Sequence, residues 1–344
     1  MAISQAAVDA LARKGAERGV DLRPGLALVE ARIREVVAAE LPLVEEASRY
    51  LVEAGGKRFR PMLVLLSGMV GGADPTDADL VDAGVVVELV QASTLYHDDV
   101  IDAADVRRGA PAAHVKWSNT VAILTGDFLL ARASELSAGL GVEVTQIMAR
   151  TIADLCQGQI REVQGSGAAA LHHAAPVVAD RDHYLRVIRE KTASLIASSC
   201  RLGALLSGQP RDDIEVLTEF GWHLGMSFQL ADDVLDVASE GEAGKPAGID
   251  LREGVRTLPL LLALEQEGPN SKLAALLDDP TDEHVTVVLG LLRSHPALDL
   301  ARDAARLEAA QAKQALERLS RAAAEAPALT GLAFLADHAA SRAA

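Results

Sequence analysis

Two clusters of aspartates, at residues 98–102 and 232–236, share the pattern D-D-x-x-D, and both lie within apolar sequence that has helical spacing. On a helix, residues four apart lie about 40° from each other around the axis, so the first and last aspartates of each cluster share a face. Three like charges within little more than one turn repel one another unless water or cations compensate them. A single cluster would indicate a solvated helix face, whereas two favour a site for a hard cation such as Mg²⁺.

The rest of the sequence predicts an all-α protein. Apolar residues recur with helical spacing over 26–39, 62–70, 79–102, 117–140, 145–163, 184–206, 214–238 and 258–267. Aromatic residues make up only 3% of the chain, and no Asn-Gly or Asp-Gly hairpin turn joins alternating segments. We expect a short helix over 3–18, loops over 165–182 and 239–257, and three or four helices after residue 267. Because metal sites in bundles are built from facing helices, we expect one domain over residues 1–344 rather than two.

Composition excludes several classes of function. The net charge of -16 argues against nucleic acid as a partner, because that requires a basic surface. Cys156 and Cys200 have no metal-type spacing and are expected to be reduced thiols. Neither a signal peptide nor a long uninterrupted apolar run is visible, so we expect a cytoplasmic protein with at most peripheral membrane contact.

Basic residues accompany the aspartates at several places along the chain. Lys57 and Arg60 follow a Gly-Gly pair, Arg107 and Arg108 follow the first cluster, and Lys191 and Lys245 flank the second. Each basic group alone would be a solvated turn or helix end. Carboxylates that bind metal, together with Lys and Arg that neutralise the remaining charge, are what a polyphosphate ligand requires.

These residues stand in motifs with a familiar order. The motifs are GGKRFRP at 55–61, DDVIDAADVRRG at 98–109, Lys-Thr at 191–192, FQLADDVLD at 228–236, GKP at 244–246, GIDL at 248–251 and TLP at 257–259. The sequence resembles the trans-isoprenyl diphosphate synthases, and most of all the bacterial medium- and long-chain polyprenyl diphosphate synthases. The match covers roughly residues 28–265, with residues 1–25 as a short N-terminal extension.

The resemblance implies an isoprenoid synthase-type helical bundle around a central cavity, usually as a homodimer. It implies a prenyltransferase of isoprenoid biosynthesis that condenses isopentenyl diphosphate head to tail with an allylic diphosphate, here farnesyl or geranylgeranyl diphosphate. The allylic diphosphate would be held between the two clusters by about three Mg²⁺ ions. Ionisation of its C1–O bond leaves an allylic cation, which the alkene of isopentenyl diphosphate attacks, so no side-chain nucleophile is needed.

The family's roles can be carried over residue by residue. The catalytic set comprises Asp98, Asp99, Asp102, Asp232, Asp233, Asp236 and Lys191. Its principal metal ligands are Asp98, Asp102, Asp232 and Asp236, while Asp99 and Asp233 are ligands or orient the ligands. Isopentenyl diphosphate is assigned to Lys57, Arg60 and Arg108. The allylic diphosphate or its nascent cation is assigned to Arg107, Lys191, Thr192, Gln229 and Lys245. Gln91 stands where long-chain relatives often have His; Gln donates to phosphate but cannot become cationic, so we expect binding with less pH sensitivity.

Product length depends on the residues one or more turns before the first cluster. Ser93 and Thr94 are small where short-chain members of the family have bulky aromatics, which disfavours farnesyl as the product. Val90 and Val87 continue the same stripe, so a product of roughly C30 to C50, suited to quinone side chains, is predicted. The facing helix is expected to offer the small residues Ala131, Ser134 and Ser137.

Four alternatives remain open at this stage. A short-chain geranylgeranyl diphosphate synthase differs only in the depth of its cavity. A class I terpene cyclase usually lacks the second aspartate cluster and GGKRxRP. A non-catalytic subunit of a heteromeric synthase typically loses acidic residues, and here all six aspartates are present. The dipeptide His97-Asp98 occurs in metal phosphohydrolases, but that chemistry needs further spaced His ligands.

Overall fold

The structure, a computed structural model, describes residues 20–166, 179–239, 247–277 and 281–342. Its helices are α1 (Arg23–Val36), α2 (Pro42–Glu53), α3 (Phe59–Val70), α4 (Ala78–Ile101), α5 (Ala113–Lys116), α6 (Asn119–Leu140), α7 (Val142–Gly165), α8 (Arg181–Ile188), α9 (Ser194–Leu206), α10 (Arg211–Ala238), α11 (Ile249–Arg252), α12 (Leu258–Glu267), α13 (Lys272–Leu277), α14 (Asp282–Arg293), α15 (Pro296–Leu316), α16 (Arg321–Ala324) and α17 (Leu329–Ser341). The strands β1 (Val106–Arg107) and β2 (Ala110–Pro111) pair antiparallel, with Arg107 opposite Ala110.

The all-α prediction is confirmed. Seven of the eight segments predicted from hydrophobic spacing are helices whose ends differ from the prediction by no more than three residues. The eighth, 184–206, is divided into α8 and α9 by one turn of π-helix at Arg189–Ala193. The predicted loop over 239–257 contains the short helix α11, and the described residues after 267 form five helices rather than three or four. The predicted helix at 3–18 and most of the predicted loop at 165–182 lie outside the described residues.

Helix α4 is buried over most of its length. Its N-cap is Asp77, whose carboxylate accepts a hydrogen bond from the backbone N–H of Asp79 at 3.0 Å and so caps the first turn. The buried residues between Leu80 and Val90 lie on all its faces and are apolar except for Glu88, a pattern typical of a helix surrounded by other helices. Full burial of each such Val or Leu side chain stabilises the fold by roughly 1.5–3 kcal/mol. Helix α4 packs against α1, α3 and α6.

The described residues group into two compact units. The first contains the residues up to Ile152 together with Leu195–Gly221 and Ala315–Phe334. The second contains Ala153–Ser194, Trp222–Gln314 and the residues from Leu335 onward. Apolar side chains from α10, α12 and α14 form the core of the second unit, with Leu230, Leu261 and Leu289 among them. A single domain over the whole chain stays a prediction.

None of the helices in the described segments is both long enough and apolar enough to cross a membrane.

Helices α3 and α9 approach each other closely at Gly203. A Cβ atom at this position would lie 2.1 Å from the carbonyl oxygen of Val64, far inside van der Waals contact with rigid backbone. We therefore expect Gly203→Ala to lower the free energy of unfolding by about 1–3 kcal/mol, the usual cost of overpacking a core. Thermal and denaturant unfolding at fixed protein concentration would measure the change.

Gly290 provides the matched control, because it lies in α14 with nothing within 4 Å of the position of its Cβ. Gly290→Ala is expected to leave stability unchanged or to raise it by up to about 1 kcal/mol, since Ala has the higher helix propensity. Equal effects of the two substitutions would contradict the close approach at Gly203.

Candidate active site

The first aspartate cluster lies at the C-terminal end of α4, in the first unit. The backbone N–H of Asp102 donates to the carbonyl oxygen of Asp98 at 2.8 Å, so these two residues lie one helical turn apart. Asp98 is half-buried and Asp102 is exposed. Asp99, in contrast, is buried and only 1% exposed. Two carboxylates of this cluster therefore reach a hydrated surface, while the third belongs to the protein interior.

Asp99 fixes the basic turn that follows. Its Oδ1 accepts a hydrogen bond from Nε of Arg107 at 2.6 Å, and Nη2 of Arg107 lies 2.5 Å from the same oxygen in an ion pair. Burial raises the pKa of Asp99, and the Arg107 guanidinium opposes that shift by stabilising the carboxylate. Of the two roles predicted for Asp99, the contacts favour orientation. They also show that Arg107, assigned to the allylic diphosphate, is already held by a carboxylate.

The two basic segments meet in the first unit. Arg108 has a left-handed backbone (φ 54°) and its Nη1 donates to the carbonyl oxygen of Leu51 at 2.8 Å. Burial lowers the pKa of Arg60 to about 10, with the negative charge of Glu88 acting against and the positive charge of Arg108 adding to the shift. Arg60 and Arg108, both assigned to isopentenyl diphosphate, are thus close enough to repel each other. An anion bound between them would reduce this repulsion.

The residues assigned to product length lie along α4. Ser93, Val90 and Val87 are fully buried, and Thr94 is half-buried. The Thr94 hydroxyl donates to the carbonyl oxygen of Gln91 at 2.9 Å, so it is satisfied within its own helix. No bulky side chain therefore occupies either of the first two positions of the predicted floor.

The prediction for the facing helix is partly wrong. Ala131 and Ser134 on α6 are exposed, and only Ser137 of the three predicted residues is buried. The buried small residues of α6 are Ala122, Thr125, Gly126, Ala133 and Ser137. Small side chains occur on both faces of α6, so residue size alone could not tell which face packs against α4. Gly126 marks the packed face, because a Cβ there would lie 2.3 Å from Nε2 of His97.

The second cluster lies on α10, in the second unit, and is less exposed to solvent than the first. Asp232, Asp233 and Asp236 are each less than 10% exposed. Asp233 accepts hydrogen bonds from the Tyr184 hydroxyl and, at 2.8 Å, from Nε2 of Gln229. Burial nevertheless raises the pKa of Asp233 to about 7. A buried carboxylate with so high a pKa gains stability from any additional cation.

Asp236 closes the loop that follows α10. Its two carboxylate oxygens accept from the backbone N–H groups of Ile249 at 3.1 Å and Asp250 at 3.3 Å, at the start of α11. Asp250 is itself beside Asp233 and Asp236, and burial raises its pKa well above the ordinary value, with both neighbouring carboxylates adding to the shift. Sequence analysis noted GIDL as a motif but gave Asp250 no role. Its proximity to two aspartates is a tertiary contact that the spacing did not reveal.

Arg342 forms an ion pair with Asp232 and lies over the ring of Phe228, with its Cζ 4.9 Å from the ring centroid. Both charged side chains are largely buried. No sequence pattern indicated this arginine, because it follows the last helix and belongs to no motif.

Three further predicted residues come together around the π-helical turn. Thr192 donates through its hydroxyl to Oε1 of Gln229 at 2.9 Å, and Gln229 in turn donates to Asp233. Lys191 forms an ion pair with Glu162 of α7. A π-turn often occurs at a functional site, and this one carries Lys191 and Thr192. Lys245, the remaining predicted residue, lies outside the described residues.

The donor set fits a hard divalent cation that also binds a ligand. All six aspartates offer carboxylate oxygens, which Mg²⁺ and Ca²⁺ prefer. In the part of the chain that the structure describes, no three Asp, Glu, His or Cys side chains form a ready-made metal group. Mg²⁺ is commonly bound by one or two carboxylates together with substrate phosphates rather than by a protein cage, so this arrangement suits it.

Comparison with known proteins gives the family. Residues 41–291 match the family model described as Polyprenyl synthetase. The chain belongs to this family.

Several polyprenyl synthetases are similar over nearly the whole chain. A nonaprenyl diphosphate synthase of Mycobacterium tuberculosis is 43% identical over 320 residues, which cover 91% of this chain and 92% of that protein. The crystal structure of a decaprenyl diphosphate synthase from Rhodobacter capsulatus superposes with a TM-score of 0.85 at 33% identity, covering 98% of this chain and 99% of the other. A polyprenyl synthase from Caulobacter crescentus, complexed with calcium and isoprenyl diphosphate, also gives 0.85, at 32% identity and 98% coverage of both chains.

As a polyprenyl synthetase, the chain is a prenyltransferase that elongates prenyl chains, and it has the helical isoprenoid synthase fold. The family uses isopentenyl diphosphate and an allylic diphosphate as substrates and depends on a divalent metal. The resemblance found in the sequence motifs is confirmed. His97 fits this reading, because its Nε2 lies 3.2 Å from the carbonyl oxygen of Ile123 in α6. That contact indicates that His97 packs against α6, whereas a metal phosphohydrolase would use it as a metal ligand.

Proposed function

We propose that this chain is an all-trans polyprenyl diphosphate synthase that extends farnesyl or geranylgeranyl diphosphate. Its product is roughly C30 to C50, a length estimated from the turns of α4 that carry no bulky side chain. The observation that carries the proposal is the small, buried Ser93 and half-buried Thr94 directly before the first aspartate cluster. Similar proteins described as nonaprenyl and decaprenyl diphosphate synthases support a product of this class, which suits quinone side chains. A geranylgeranyl diphosphate synthase is the alternative.

The aspartates of both clusters supply oxygen ligands for about three Mg²⁺ ions. When bound, Mg²⁺ supplies Lewis-acid stabilisation of the diphosphate that departs from the allylic substrate. The principal ligands are Asp98, Asp102, Asp232 and Asp236. Asp99 and Asp233 orient the clusters, because each is buried and held by hydrogen bonds from neighbouring side chains.

The basic and amide side chains bind and orient the two diphosphates. Lys57, Arg60 and Arg108 hold isopentenyl diphosphate, with Gln91 as a neutral donor. Arg60 remains cationic at neutral pH even with its pKa near 10. Thr192 and Gln229, joined to Asp233 by hydrogen bonds, together with Arg107, Lys191 and Lys245, face the allylic diphosphate or its cation. The alkene of isopentenyl diphosphate attacks C1, and the proton lost from the condensed product goes to the released diphosphate.

Location and assembly complete the proposal. The net charge of -16 supports a protein without nucleic-acid partners. We infer a cytoplasmic location with at most peripheral membrane contact. We infer a homodimer from the outward face of α6, where Ile123 is 42% and Leu124 is 60% exposed beside the small residues Ala131 and Ala138. Such an exposed apolar stripe is typical of a protein–protein interface.

Substitution of one aspartate in each cluster tests the proposed reaction. Asp98→Asn and Asp232→Asn should each lower elongation activity at least about 100-fold, because loss of a metal ligand removes both affinity and charge stabilisation. Incorporation of radiolabelled isopentenyl diphosphate by the purified protein alone measures activity. Mn²⁺ binding in the presence of an unreactive diphosphate, followed by electron paramagnetic resonance, should weaken in parallel.

Asp299→Asn is the matched control, because this side chain is 78% exposed on α15 and belongs to neither cluster. It should retain both activity and metal binding. Full activity of the Asp98→Asn variant would refute the proposed metal role, and no turnover by the wild-type protein alone would support a non-catalytic subunit instead.

Product length is tested at the first turn before the cluster. Thr94→Phe should shorten the main product from farnesyl diphosphate to about C20, because the aromatic ring closes the floor one helical turn below Asp98. Thr94→Ala, which keeps the floor open, should leave the product distribution unchanged. Products are dephosphorylated and separated by reversed-phase chromatography. Wild-type products no longer than C20 from farnesyl diphosphate would favour the geranylgeranyl alternative.

The proposed dimer face is tested by charge. Leu124→Glu should shift the protein towards monomer in sedimentation velocity at micromolar concentration, because a carboxylate buried in an apolar interface is strongly unfavourable. Leu307→Glu is the control, since Leu307 is 59% exposed but lies on α15. A wild-type protein that sediments as a monomer would contradict the assembly.

A further inference from the structure

We propose that Glu88 and Arg58 are positioning residues that hold the basic subsite of Lys57, Arg60 and Arg108 in the geometry that binds isopentenyl diphosphate. The inference rests on the proposed function and adds residues to which neither the motifs nor the family resemblance gave a role. Glu88 lies in the apolar part of α4, and Arg58 lies between Lys57 and Arg60.

The first observation is a buried ion pair. Nη1 of Arg58 lies 2.8 Å from Oε1 of Glu88, and both side chains are only 7% exposed. The rest of the guanidinium is satisfied by Glu30, at 2.5 and 3.1 Å, and by the carbonyl oxygen of Val52 at 3.0 Å. Buried ion pairs often add little net stability, because desolvation offsets the attraction. A pair with so complete a set of partners therefore calls for a role in geometry.

The second observation is the backbone of Arg58. It is left-handed, with φ 47° and ψ 41°, and its carbonyl oxygen accepts the hydrogen bond from Met62 N–H that starts α3. This conformation is unfavourable for a residue with a Cβ atom. Glu88, Glu30 and Val52 hold the side chain inside and so compensate that cost. The anchored turn then determines the positions from which the side chains of the adjacent Lys57 and the nearby Arg60 extend.

The third observation links this anchor to Arg108. A Cβ on Gly56 would lie 2.5 Å from Nη1 of Arg58 and 3.2 Å from Nη1 of Arg108. The backbone of Gly56 thus runs past both guanidinium groups. Glu88 is also the carboxylate whose charge opposes the desolvation of Arg60 and of Arg108. One buried acid is therefore the common counter-charge of three arginines.

Glu88 lies on the same face of α4 as Asp99. Glu88 and Asp99 are eleven residues apart, so they lie about 20° from each other around the helix axis and roughly 16 Å apart along it. Each is buried and each holds one arginine, Arg58 and Arg107 respectively. The same face of α4 thereby fixes both basic segments of the predicted site.

Positioning and simple charge make opposite predictions for Glu88→Gln, which keeps the shape and removes the charge. If Glu88 only tempers the local positive field, its loss should tighten the binding of an anion and lower the KM for isopentenyl diphosphate. If Glu88 positions the arginines, its substitution leaves their mutual repulsion uncompensated, and the basic subsite loses its geometry. We expect the KM for isopentenyl diphosphate to rise about tenfold or more, with the KM for the allylic substrate within about twofold of wild type.

The experiment measures both KM values, kcat and the melting temperature for Glu88→Gln, Arg58→Gln and the double variant. A shared role makes the KM effects non-additive, so that the double variant is no worse than about the larger single effect. Asp82→Asn is the matched control, because Asp82 also lies on α4 and pairs with an arginine of α1, Arg32, at 2.9 Å. It should alter stability at most and leave the KM for isopentenyl diphosphate unchanged.

Two further variants keep the outcome decisive. Arg58→Lys, which retains the charge but loses the multiple contacts, should give a smaller rise in the same KM if Arg58→Gln fails to fold. Lys57→Ala and Arg60→Ala test the proposed subsite itself. If these raise the KM for isopentenyl diphosphate and Glu88→Gln leaves it unchanged or lowers it, the positioning role is wrong and the proposed function stands. If they leave it unchanged, the subsite assignment fails, and the present inference fails with it.

Discussion

The burial of carboxylates on apolar helices is the constraint on which the rest of this site depends. A buried charge is strongly unfavourable unless hydrogen bonds or opposite charges satisfy it, so each buried acid determines what must lie beside it. Asp99 is satisfied by Arg107, Glu88 by Arg58, and Asp233 by a tyrosine and a glutamine. Through these contacts α4 positions the turns that carry Arg58 and Arg107, and Asp236 of α10 positions the start of α11 in the same way.

The two aspartate clusters use the same sequence pattern in different environments. At the first, Asp98 and Asp102 remain accessible to water and only Asp99 is buried. At the second, all three aspartates are buried, and burial raises the pKa of each of them. Metal binding requires the deprotonated carboxylate, so under the proposed function metal binding at the second cluster is coupled to proton release. The same sequence pattern therefore stands in two environments that differ in how deeply the carboxylates are buried.

Much of the architecture and of the candidate site was accessible from the sequence because it depends on local spacing. Helical periodicity located most of the long helices up to residue 267, and the aspartate and basic motifs located the candidate site residues. What the sequence could not reveal depends on tertiary contact. Arg342 reaches Asp232 from the far end of the chain, and Tyr184 reaches Asp233 across 49 residues. The packed face of α6 was partly mispredicted, since Ala131 is as small as the residues that do pack, and size carries no direction.

Under the proposed function, helix α4 carries both residues that bind the head of the substrate and residues that limit the length of the product. Its buried acids face the basic segments, whereas Ser93 lies about 140° around the axis from Glu88, on another side of the helix. Because the helix is rigid and buried, the distance from Asp98 to each successive turn is fixed by the 5.4 Å pitch rather than by side-chain movement. The turn at which a large side chain first appears therefore acts as a discrete stop. Substitutions on one side of α4 should alter product length without disturbing the arginines held on the other.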